Sequence, residues 1–144
     1  MRTITTLPGL KEIYMVRTSM LPPLAAMKSA VGISVYLTSN VIRICTEGNP
    51  SAEIIDEYVN NGRQVTTTLH FQSAERIETR TKYAFVYVDQ GGEAWLVGSR
   101  EKPFPTISKK PETGIPGQSS AVITYEVKWI SNAEPTRVHL EPNT

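Results

Sequence analysis

Alternation with a period of two dominates the chain. In Val65-Thr66-Thr67-Thr68-Leu69-His70-Phe71-Gln72, residues Val65, Thr67, Leu69 and Phe71 fall on one face of an extended strand, and Thr66, Thr68, His70 and Gln72 on the other. Three consecutive threonines suit a pleated surface better than a helix. The run before it, Glu53-Ile54-Ile55-Asp56-Glu57-Tyr58-Val59, leads into Asn60-Asn61-Gly62-Arg63. Asn-Gly tolerates the positive φ of a tight turn, so the two runs predict a hairpin, although the acidic residues of the first also fit a helical turn.

A second hairpin is predicted where Tyr83-Ala84-Phe85-Val86-Tyr87-Val88 meets Glu93-Ala94-Trp95-Leu96-Val97-Gly98 across Asp89-Gln90-Gly91-Gly92. Its first flank is apolar on both faces, which predicts a central strand. In the run from Ala121 to Ile130, residues Ile123, Tyr125, Val127 and Trp129 face one way and Thr124, Glu126 and Lys128 the other. Nearer the start, Lys11 to Thr18 and Gly32 to Leu37 read as strands, and Val41 to Thr46 is expected to pair with the latter through Thr38-Ser39-Asn40. The expected fold class is therefore mainly all-β: a β-sandwich or small barrel of about seven or eight antiparallel strands. Leu24 to Ala30, after Pro22-Pro23, allows at most a short helix. With no repeat and no linker, residues 1–144 are expected to form one β domain.

From Ser99 to Ser120 the alternation stops. Four prolines and two glycines in this stretch predict a long Pro/Gly-rich loop. Such loops are uncommon in compact domains and are often functional. It also carries Phe104, Ile107 and Ile115, which a solvated loop would not need. They either pin the loop to its own domain or dock on a neighbouring subunit. Similarly, Glu75-Arg76-Ile77-Glu78-Thr79-Arg80-Thr81-Lys82 alternates charge signs. It reads either as a turn or edge guarded against stray pairing, or as a rim in which Arg76, Glu78 and Arg80 form ion pairs between subunits.

Composition narrows the function more than it defines it. A net charge of +1, with scattered basic residues, gives no bulk attraction to nucleic acid. No stretch is apolar enough to span a bilayer and the first residues lack a signal-peptide pattern, so synthesis in the cytoplasm is expected. The single cysteine, Cys45, excludes an intrachain disulfide, and its apolar neighbours predict a buried, inert thiol.

Catalytic and cofactor signatures are missing. The two histidines, His70 and His139, do not stand at metal-ligand spacing, and no cofactor or metal is expected. There is no nucleophile elbow and no phosphate-binding glycine loop, so the chain is not expected to be an enzyme. The rival arrangement would be His70 working with a nearby carboxylate in a pocket. Asp56 and Glu57 are adjacent and would point to opposite faces of a strand. Tyr83, Phe85, Tyr87, Trp95, Tyr125 and Trp129 are expected to be mostly core, with an exposed aromatic platform for sugar or peptide as the alternative.

Three segments resemble a known kind of protein. They are Leu7-Pro8-Gly9-Leu10-Lys11-Glu12-Ile13-Tyr14-Met15-Val16, then Ala94-Trp95-Leu96-Val97-Gly98-Ser99-Arg100-Glu101-Lys102-Pro103-Phe104-Pro105, then Thr113-Gly114-Ile115-Pro116-Gly117 before the last strand. Their order and spacing resemble small phage or prophage virion proteins of Bacteroidetes-type genomes, of the tail or head–tail connector kind. The resemblance implies a tail-tube, tail-terminator or connector fold that assembles into rings with copies of itself and other virion proteins. It brings no catalytic residues to carry over. Under it, Phe104, Ile107 and Ile115 are the expected loop anchors and Arg76, Glu78 and Arg80 the charged rim.

Overall fold

The computed structural model describes residues 2–21, 35–37, 41–60, 62–78, 80–101, 103–112, 122–132 and 135–140. Eleven strands account for most of them: β1 (Thr3–Leu7), β2 (Glu12–Arg17), β3 (Val35–Leu37), β4 (Val41–Ile44), β5 (Glu47–Val59), β6 (Gly62–Ser73), β7 (Tyr83–Val88), β8 (Ala94–Val97), β9 (Thr106–Glu112), β10 (Val122–Ser131) and β11 (Thr136–Leu140). Among the described residues one 3₁₀ turn, Thr18–Met20, follows β2. The strands form two open sheets, in the orders β1-β5-β6-β10-β9 and β3-β11-β8-β7-β2-β4. The fold is nearly all-β, as the alternation predicts, and neither sheet closes into a barrel.

The core lies between the sheets. Leu69 and Phe71 on β6 and Tyr125, Val127 and Trp129 on β10 meet Ile13 on β2, Ile44 on β4, Phe85 and Tyr87 on β7 and Val97 on β8. Phe71 stacks on Tyr125 at 5.3 Å and reaches across to Phe85 at 6.4 Å, tying the sheets together. The faces of β6 and β10 follow the sequence alternation, with Thr68 on the polar face also buried. On the far side of the second sheet, Val16, Ala84, Val86, Ala94, Leu96 and Val138 form another buried cluster with Leu21. Strand β7 is thus buried on both faces, as a strand apolar on both faces should be.

Turns follow residue chemistry. Between β7 and β8, the Gly92 N–H donates to the Asp89 carbonyl and Gly92 takes φ +86°, the left-handed position of a three-residue hairpin loop. Asp89 fixes this turn by accepting from the Glu93 N–H and the Trp95 indole N–H, at 3.0 and 3.1 Å. Burial pushes its carboxyl up, but these bonds and the backbone N–H groups of Gly91 and Gly92 outweigh that and hold it below its usual range.

Several expectations need correction. Val41–Ile44 pairs with β2, not with the segment before it, and β3 runs parallel to β11. The β5–β6 turn sits one residue earlier than Asn61-Gly62: Gly62 already pairs with Val59, and Asn60 takes the positive φ, 51°. The proline-broken stretch is not all loop, because Thr106–Glu112 is an edge strand on β10. Pro111 is tolerated there because an edge position needs no outward N–H. The short helix expected at Leu24 to Ala30 lies outside the described residues.

Candidate assembly surface

Strands β5 and β6 outrun their neighbours. Pairing with β1 ends at Thr3 opposite Asp56, and pairing with β10 ends at Ser131 opposite Val65. Glu57, Tyr58 and Val59 therefore face Gln64, Arg63 and Gly62 on a two-stranded arm beyond the sheet. The Arg63 guanidinium grips both Asp56 carboxylate oxygens, at 3.1 and 2.8 Å, and holds that carboxyl below its ordinary range. Arg2 stands 3.8 Å from Glu57. Both pairs are open to water and set the arm's orientation more than its stability.

Exposed apolar groups concentrate at this end. Among the described residues, the large hydrophobic side chains left exposed are Ile4 (54%), Ile42 (52%), Tyr58 (70%), Val59 (41%) and Ile130 (49%). All but Ile42 belong to the first sheet. Its register places Ile4, Ile55, Thr66 and Ile130 in one row across the outer face, spanning β1, β5, β6 and β10. Val59 shares that face further along the arm, since strand side chains alternate.

The two edges of this sheet differ. Edge strand β9 carries Lys109, Lys110 and Pro111, the residues that discourage stray pairing. Edge strand β1 is Thr-Ile-Thr-Thr-Leu, uncharged, rich in β-branched residues, and exposed on both faces from Thr3 to Thr6. Alternation predicts the hairpin that forms the arm, but not β1, and not which apolar residues end up exposed, because exposure is a tertiary outcome. Only the β-branched content of Thr3 to Leu7 signals a strand.

The residues singled out from sequence are not gathered here. Ile107 packs against the core of its own sandwich and Phe104 is half-buried. The Trp129 indole donates to the Pro103 carbonyl at 3.0 Å, holding the start of this stretch to its own body. Ile115 lies outside the described residues. Arg76, Glu78 and Arg80 are exposed on the connection from β6 to β7, where the Glu78 carboxylate accepts from the Arg80 N–H. That connection is pinned from below: Ile77 is buried, its N–H donates to the Tyr125 hydroxyl at 3.0 Å, and that hydroxyl donates to the Glu75 carbonyl at 2.8 Å.

His70 faces outward on β6, with Ser51 and Glu126 as its cross-strand neighbours. It lines an open cleft of about 270 Å³ with Glu47, Asn49, Gln72 and Thr124, beside an irregularity in β5 between Glu47 and Ser51. No hydrogen bond or ion pair joins His70 to Glu126. Cys45 is exposed, not buried: it follows β4, where the chain leaves the sheet, and its carbonyl accepts from the Ser73 hydroxyl at 2.7 Å. It shares a cleft of about 420 Å³ with Lys11, Glu12 and Arg43. Among the described residues, no group of three or more His, Cys, Asp or Glu could hold a metal ion, and no helix is long and apolar enough to cross a membrane. No protein-family model, curated protein or solved structure matches the chain.

Proposed function

We propose that the protein is a structural subunit that assembles with copies of itself through the arm end of its first sheet, in the manner of a phage tail-tube, tail-terminator or head–tail connector protein. The observation that carries this reading is the exposure of Tyr58 and Val59, one on each face of the projecting arm, with Ile4 and Ile130 exposed in the row at its base; among the described residues the only other large apolar side chain so exposed is Ile42. Tyrosine is a favoured anchor at protein interfaces, and an arm beyond the sheet can reach a neighbour. The virion setting is supported by the resemblance of the three sequence segments, and the partners it brings are other virion proteins. The aromatic platform of a sugar- or peptide-binding module has less support, because Tyr83, Phe85, Tyr87, Tyr125 and Trp129 are buried and Trp95 is half-buried.

Sedimentation velocity over a concentration series tests the reading. The wild type should associate. The double variant Tyr58→Ser, Val59→Asp should associate at least tenfold more weakly while its circular dichroism stays unchanged. Identical association of the two proteins would refute the arm's role.

A further inference from the structure

We infer that β1, whose outer edge has no strand partner among the described residues, is the strand that joins one copy to the next: that edge pairs antiparallel with β1 of a second copy about a two-fold axis through Thr5, making one continuous sheet of the two five-stranded ones. This rests on the self-assembly reading and names the contact. Magnitudes require something beyond the apolar patch. Covering the exposed parts of a few aliphatic side chains gains little per residue, and association must first offset the loss of translational and rotational freedom. The unpaired N–H and C=O groups of an exposed edge supply the missing, directional part of the interaction.

The strand's composition selects a second copy as the occupant. Pairing about Thr5 sets Thr3 against Leu7 and Ile4 against Thr6 of the other molecule, so no charge from the strand meets its own kind. Arg2, already beside Glu57, would lie against Pro8 of the second copy, which is neutral. The same operation on β9 sets Lys109 against itself and meets Pro111, which has no N–H to give. Of the first sheet's edges, β1 therefore admits a copy of itself and β9 repels one. Such an isologous contact ends at two copies, and growth into a ring requires the arm as a second, heterologous contact.

The test pairs a repulsive variant with a cross-link. Thr5→Lys places like charges opposite one another across the axis. It should remove the two-copy species in sedimentation while leaving the fold unchanged by circular dichroism. In a Cys45→Ser background, Thr5→Cys should give a disulfide-linked dimer with oxidised glutathione, and Lys109→Cys should not. Cross-strand partners at a two-fold axis lie within disulfide reach. Association that survives Thr5→Lys, with no cross-link at position 5, would overturn the β1 contact and leave self-assembly standing. A wild type that stays monomeric at every concentration, with no cross-link, would overturn both.

Discussion

Tyr125 shows how one side chain can secure a crossing between sheets. Its ring lies in the inter-sheet core, and its hydroxyl both donates to Glu75 and accepts from Ile77 in the connection leading to β7. Tyr125→Phe keeps the ring but leaves a buried N–H without a partner, so urea unfolding should show a loss of about 1–3 kcal/mol. Thr67 is the opposite case. It faces the core, and its hydroxyl is buried with no hydrogen-bond partner among the described residues. Thr67→Val removes that polar group at nearly constant shape and should raise stability by about 1 kcal/mol in the same assay. The inward direction of both residues is legible from alternation. Their hydrogen bonding is not, because it depends on the backbone of a distant connection. Cys45 is the converse lesson: apolar neighbours in sequence do not bury a residue that lies just past the end of its strand.

At the scale of elements, local pairings were legible and distant ones were not. The β5–β6 and β7–β8 hairpins follow from alternation plus turn residues. The β2–β4 and β3–β11 pairings join segments separated by other chain, and no local pattern encodes them. Strand β9 is hidden by Pro111, Lys109 and Lys110, the residues that protect an edge. Because Ile107 on β9 packs inward, Ile107→Ala should lower stability by about 1–2 kcal/mol and leave association unchanged by sedimentation. On the arm, the Asp56 carboxyl is held low by Arg63. Its contribution to arm order is present above the ordinary carboxylate value and is lost as pH falls through the depressed one. Arg63→Ala should move the Asp56 titration, followed by NMR, back up toward that ordinary value.

For the whole molecule, burial is uneven in a way that bears on assembly. The second sheet packs on both faces at β7, while the first packs its core on one face and leaves Ile4 and Ile130 of the other, its arm and its β1 edge exposed among the described residues. A packed sandwich with one exposed end suits a subunit that adds to others with little internal change. None of this asymmetry was legible in composition or net charge, since it comes from which strands overhang their neighbours. Hydrogen–deuterium exchange of the wild type, resolved by segment across a concentration series, probes it most directly. Protection in Thr3–Leu7 and on the arm should rise with concentration, while β7 stays maximally protected throughout. Exchange in those two segments that does not change with concentration, or protection that instead grows along β9, would contradict assembly through this end of the sheet.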